Sequence, residues 1–300
     1  VSTVTAQLPA RARVLPFTMR QAAPYIFISP FYVLYTCFMI YPLASSMWTS
    51  FRFQQTLESS VFVGLYNYEV LLADPKFWQA LLNTFGFTFG VLFIQVPVAL
   101  GLALLLNASF LRARNFFRLC FFSPTLVAGV FVAIIFRQIF HADSGLLSLL
   151  AGTEIPWLES KYLILPSLIL TSVWKSAGFT MLYFLAGLQG IRRELYEAAD
   201  VDGAGRWASF VNVTLPGLRP ITIFVIIIAV IDALQLFDLP YVLLDGEGPG
   251  GHGRTIVMYL YQKFETSELG LACATGWSLA ILIFLVTLAQ FKLLGANRED

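Results

Sequence analysis

Four charged residues, Glu197, Asp200, Asp202 and Arg206, stand close together between two apolar stretches, 163–188 and 221–244. Each stretch is long enough for a helix to cross a bilayer, which takes roughly 20 residues. Such charges do not sit in hydrocarbon without partners, so the island between the stretches must protrude into water. Glu197 offers an exposed carboxylate beside the small Ala198 and Ala199. Gly203 and Gly205 weaken a continuous helix and predict two short helices bent at Gly203. Tyr196, Ala199, Gly203, Trp207 and Phe210 fall near one face at helical spacing. Pro216 and Pro220 close the loop and stiffen its entry into the next helix. This is the chemistry of charge pairing and seating against a partner.

A second group lies inside the apolar stretches. Lys175 is about twelve residues into one and Asp232 about eleven into the next, some 16–18 Å deep at ~1.5 Å per residue. Each charge costs ~2.5–3.5 kcal/mol at the centre of a bilayer, so both should face a bundle interior, a cavity or each other. One reading is a Lys175–Asp232 pair clamping adjacent helices. The other is a path for solute, with Trp174, Lys175, Ser176 and Phe179 on one helix and Asp232, Gln235 and Leu236 on the other. The last three are spaced i, i+3 and i+4 and share a helical face. Aromatic rings against sugar C–H faces, with carboxyl and amide groups for hydroxyls, suit a carbohydrate.

The elements that must carry these groups are membrane helices. The chain of 300 residues is 58% hydrophobic and 12% charged, with mean hydropathy +0.74. A soluble chain carries roughly twice that charge. Six apolar stretches, at about 23–50, 79–107, 116–140, 163–190, 221–244 and 268–294, predict an all-α integral membrane bundle of six transmembrane helices. The first is too long for a signal peptide, contains Pro30 and Pro42, and lacks a small-residue cleavage site, so it is expected to be retained. The expected organisation is an arm at 1–22, a six-helix transmembrane domain at 23–294 with the polar loop at 191–220, and a tail at 295–300.

Orientation follows from Lys and Arg. Arg11, Arg13, Arg20, Arg112, Arg114, Arg118, Arg192, Arg193, Arg206, Arg219, Lys292 and Arg298 fall on one side. Arg52, Lys76, Arg137, Lys161, Arg254 and Lys263 fall on the other. Both termini and the Glu197 loop are therefore expected in the cytoplasm. The outward loops are short and rich in Gly, Pro, Trp and Tyr, suiting a shallow docking rim.

The polar loop resembles the EAA loop of binding-protein-dependent, type I ABC importer permeases. Glu197, Ala198, Ala199, Asp202, Gly203, Ala204, Leu215 and Pro216 match its E-A-A, D-G-A and L-P pattern in order and at family spacing. Val63–Tyr68, Asp74–Trp78, Asn83 and Thr84 resemble the first outer loop and second helix of sugar-importer permeases, so the resemblance spans about 24–294. It implies a loop seated in a cleft of a cytoplasmic ATPase, with Glu197 meeting a basic group there. It also implies a second permease (usually a different chain in sugar systems), two ATPase subunits holding ATP and Mg, and an extracytoplasmic solute-binding protein. The location implied is a bacterial inner membrane. In maltose-type members the positions matching Trp174–Phe179 and Ala229–Leu236 line the sugar site. Ala233 and Leu236 stand where those members have amides, which points away from maltose itself. Glycerol phosphate or another polyol derivative is the alternative cargo, with Lys175 the intramembrane cation for a phosphate.

Other signals are weak. Gly246–Gly251 formally matches G-x-G-x-x-G but contains Pro249 and follows a membrane helix, whereas a dinucleotide site needs strand, turn and helix. His141 and His252 lie in outward loops, and Cys37, Cys120 and Cys273 lie far apart in apolar runs, so neither metal ligation nor a disulfide framework is indicated. Without a G-x-x-x-x-G-K-[ST] loop the chain is not expected to hydrolyse ATP or to be an enzyme, and its net charge of +1 does not suggest nucleic acid. An ion-coupled secondary transporter would show more helices and internal halves. Gly86 and Gly90 form a small-x-x-x-small pair suited to close helix packing.

Overall fold

The computed structural model describes residues 19–54, 60–108 and 113–295. Arg11, Arg13, Arg112 and Arg298 lie outside the described residues, as do most of the 1–22 arm and the 295–300 tail. The chain divides into two units, 1–48 and 49–300. The first is helical from residue 19: α1 (Met19–Tyr35) continues through a π turn at Thr36–Ile40 into α2 (Tyr41–Ser50). Pro42 lacks the N–H that would bond Phe38, which accounts for a widened turn just before it.

The second unit begins with a two-stranded antiparallel hairpin, β1 (Arg52–Gln54) and β2 (Ser60–Phe62), followed by α3 (Tyr66–Ala73). The all-helical expectation did not include the hairpin. Asn67 explains why it stays: its amide donates to the carbonyls of Ser50 and Arg52 at 2.8 and 2.9 Å. α4 (Pro75–Asn107) starts on Asp74, whose carboxylate accepts from Lys76 N–H, with Pro75 at the first position.

The expected third helix is two. α5 (Arg114–Phe122) runs through a 3-10 turn at Ser123–Leu126, then bends by 98° into α6 (Gly129–Ile139). α7 (Leu146–Ala151) precedes α8 (Ile164–Gly190), which matches the expected fourth helix. The polar loop folds as α9 (Arg193–Val201), α10 (Arg206–Ser209), a π turn and α11 (Leu215–Gly217).

The expected fifth helix, 221–244, is also two: α12 (Arg219–Leu234) and α13 (Asp238–Leu243). The break has an identifiable cause. Pro240 has no N–H to give the Leu236 carbonyl, so a helix continuing through these residues would leave that oxygen unpaired. Thr255 supplies the missing donor, its hydroxyl bonding Leu236 O at 2.8 Å. α14 (Ile256–Glu265) and α15 (Leu269–Gly295) complete the chain.

Four described helices are long and apolar enough to cross a membrane, or up to six if each of two bent pairs is one span: α5 with α6, and the polar-loop helices from Arg206 to Gly217 with α12, which meet at 61°. α4 and α8 pack closely because Gly86 and Gly90 lack side chains. A Cβ on Gly86 would stand 3.2 Å from Leu165, and one on Gly90 would run into Ile169. Three apolar clusters hold the unit together. One, around Phe87, Phe136 and Leu168, lies towards the hairpin end, and another, around Ala103, Phe184 and Leu218, towards the polar-loop end.

Candidate substrate path and coupling loop

A cavity of about 400 Å³ opens between these clusters. α8 lines it with Ser172, Lys175, Ser176, Phe179, Thr180 and Tyr183, a stripe at i, i+3, i+4, i+7, i+8 and i+11. α12 contributes Val225, Ala229 and Asp232, and α4 contributes Phe87, Val91 and Gln95, each at the same helical repeat. Gln235 and Leu236 enter from the break between α12 and α13, and Asp238 from the start of α13. The structure thus brings Lys175, Ser176, Phe179, Asp232, Gln235 and Leu236 to one cavity.

Trp174 is the exception. It borders a different, apolar groove with Pro124, Val127 and Gly178, and its ring packs 5.2 Å from Phe136. At about 100° per residue the cavity stripe covers one side of α8 with Lys175 at its edge, and Trp174 falls a further 100° beyond that edge, on the other side of the helix.

The ion pairs among the described residues do not include Lys175. The direct Lys175–Asp232 clamp is therefore absent there, and both side chains border the cavity instead. Lys175 has a second acidic neighbour that sequence reasoning missed. Its Nζ lies 3.3 Å from where a Cβ on Gly129 would stand, and the Asp238 carboxylate occupies the same spot. Taking 221–244 as one helix hid Asp238; Pro240, two residues on, was the signal for a break.

The bend before α6 is fitted to the middle of α8. Thr125 donates its hydroxyl to Lys175 O at 2.9 Å, and Gly178 lets the Phe121 carbonyl lie directly against α8. Gln95 donates to the Thr180 hydroxyl at 2.7 Å, a polar pair in the cavity wall. Gln95, Thr180 and Tyr183 were also missed, although their spacing from Lys175 and Phe179 could have pointed to the last two.

The polar loop turns as expected at Gly203, whose φ is +75°. Ala204 N–H bonds Ala199 O and Gly203 N–H bonds Asp200 O, the paired bonds of a Schellman end. Glu197 is exposed and makes a 3.2 Å pair with Arg193 one turn back. Ala198 and Asp202 are exposed beside it, as are Leu215 and Pro216, and Ala199 and Ala204 are half-buried. Tyr196 turns inward to share a 2.9 Å hydrogen bond with Thr214, whereas Trp207 is 76% exposed. The Gly203 turn thus splits the single face expected for Tyr196, Ala199, Gly203, Trp207 and Phe210.

At the opposite end, Asn83 donates to Gly251 O and Arg254 O. Gln79 donates to Gly250 O at 2.8 Å. The Arg254 side chain, 5% exposed, pairs with Glu247, which also accepts from Gln262. Burial pushes the Glu247 carboxyl up, but Gln262, Arg254 and Lys76 together hold it below its ordinary value. Asp74 behaves alike, with burial outweighed by Tyr259, the Lys76 amide and the charges of Lys263 and Lys76. The Gly246–Gly251 segment is a tie between elements.

A helical bundle with two broken segments, a polar cavity among its helices and a folded polar loop at one end is the architecture of a solute permease. The chain belongs to the family described as the binding-protein-dependent transport system inner membrane component, which it matches over residues 95–294. It is a multi-pass inner-membrane permease subunit.

It is 40% identical to the arabinooligosaccharides transport system permease protein AraP of Bacillus subtilis, over 95% of this chain and 92% of that one. It is 37% identical to the sulfoquinovosyl glycerol transport system permease protein SmoG of Agrobacterium fabrum, over 94% and 92%. The trehalose/maltose transport system permease protein MalF of Thermococcus litoralis is 32% identical, over 92% and 94%. A solved bacterial ABC transporter involved in import of the acidic polysaccharide alginate shares the fold, with TM-score 0.81 at 22% identity over 93% of this chain and 97% of that one.

Proposed function

We propose that this chain is a permease subunit of an ATP-driven importer of a carbohydrate and forms half of its translocation path. The observation that carries this reading is the convergence of helical stripes from α4, α8 and α12 on one cavity with polar and aromatic walls. Hydroxyls, an amide and carboxylates there suit sugar hydroxyls, and Phe179 and Tyr183 offer ring faces to C–H groups. The substrates named for the 30–40% identical relatives, arabinooligosaccharides and trehalose/maltose among them, support a saccharide.

The loop 191–220 docks a cytoplasmic ATPase, through Glu197, Ala198, Ala199, Asp202, Gly203, Ala204, Leu215 and Pro216. Its exposed carboxylate, exposed Val201 and Trp207, and rigid Schellman turn support a seat in a partner. Both termini lie in the cytoplasm, flanking a permease domain at 23–294. A second, different permease chain completes the path, two ATPase subunits bind ATP and Mg, and a solute-binding protein delivers the sugar. ATP-dependent uptake of labelled arabinose oligomers, maltose and lactose by proteoliposomes holding the assembled complex tests this. Uptake of none of them, or uptake without ATP, overturns it.

A further inference from the structure

The geometry points to an excess of Asp232 and Asp238 over Lys175 in the cavity wall that makes the cavity a filter for uncharged saccharides against acidic ones. The inference rests on the carbohydrate reading above.

Asp238 is placed among positive groups. Its carboxylate lies beside Gly129, the first residue of α6, where the backbone N–H groups are left over and the helix dipole is positive. The α6 N-cap, Ala128, has no side chain that caps these groups. Lys175 Nζ borders the same spot. Asp238 and Lys175 thus border one spot and both line the cavity, so Lys175 stands beside an acidic group.

Asp232 is the second carboxylate of the cavity wall. It is exposed to the lumen, forms no ion pair within the described residues, and stands three residues before Gln235 on the same wall. Lys175 against Asp232 and Asp238 leaves a formal charge of −1 facing the solute. An ionised acceptor strengthens hydrogen bonds from sugar hydroxyls. The same charge repels a carboxylate or phosphate on the solute, and low-dielectric walls weaken the screening of that repulsion. The fold alone does not impose this, since the alginate importer shares it.

The test is equilibrium binding to the purified complex of both permeases and the ATPases, without the solute-binding protein, which would impose its own selection. The probes are arabinotriose, the aldonic acid made from it, and glycerol 3-phosphate. The wild type should bind arabinotriose at least about tenfold tighter than the acid, a factor worth about 1.4 kcal/mol. Asp232→Asn should bring the two within about threefold, and Lys175→Met, which makes the cavity more negative, should widen the gap. Thermal unfolding of each complex confirms assembly. Equal or tighter binding of the acid or of glycerol 3-phosphate by the wild type overturns the inference. So does an unchanged ratio in an assembled Asp232→Asn complex. Arabinotriose binding with an unaltered ratio sinks the filter alone, whereas failure to bind or transport any saccharide sinks the carbohydrate reading with it.

Discussion

Replacing Thr255 by Val exchanges one hydroxyl for a methyl at a residue 3% exposed, and two backbone groups depend on that hydroxyl. It donates to Leu236 O at 2.8 Å, the carbonyl that Pro240 cannot serve, and it accepts from Met258 N–H at 3.3 Å to cap α14. A buried carbonyl left unpaired costs ~1–3 kcal/mol. Loss of a helix N-cap costs ~0.5–2 kcal/mol. The two share one oxygen, so about 2–4 kcal/mol is the expected total. Thr255→Ser keeps the oxygen and removes one buried methyl, which costs about 1 kcal/mol. The assay is thermal unfolding of the purified complex by tryptophan fluorescence, wild type beside both variants. The Val variant should unfold several degrees below the Ser variant, which should lie close to wild type. If Val matches wild type, or Ser is the worse of the two, the hydroxyl does not hold the broken helix and the account of the α12–α13 break is wrong.

Other outcomes follow from the same structure. Glu197→Lys should abolish ATP-dependent uptake while membrane insertion is retained, because the ATPase contact is lost and the bundle is untouched. Gly203→Pro should do the same independently, since proline cannot adopt φ +75°; co-purification of the ATPase with normal uptake in either variant would sink the coupling assignment. Lys175→Met should assemble yet lose or alter substrate use, and adding Asp232→Leu should not restore uptake, because the two are not an ion pair; wild-type uptake by the double variant would remove both from the path. Asp74 and Glu247 titrate below their ordinary values, so their stabilising contribution is complete above those values and is lost as pH falls through the depressed ones. Melting curves should therefore show the hairpin end loosening below about pH 4, and Glu247→Gln should flatten part of that acid limb.

The sequence by itself determined the class of protein and the place of its polar loop. Six apolar stretches are a compositional signal that lipid imposes on any helix it surrounds, and the described residues hold four spanning helices, or up to six when each bent pair is one span. The turn at Gly203 is equally local, because a left-handed residue at a helix end needs only the glycine and its neighbours. What the tertiary structure decided lies where an apolar run conceals a change of direction. Lipid-facing residues look alike in a straight helix and a bent one, so 116–140 and 221–244 each read as single spans, with only Pro124 and Pro240 hinting otherwise. Whether such a break survives depends on a donor far away in the chain, Thr255 for the Leu236 carbonyl, or on a contact such as Phe121 against Gly178. Those breaks bring Asp238 and the start of α6 to Lys175, and thereby place a second carboxylate in the cavity wall. Spacing along α8 could already separate Trp174 from Lys175 by 100°. Which of their two faces became the cavity wall was settled only by the packing of α4 and α12 against it.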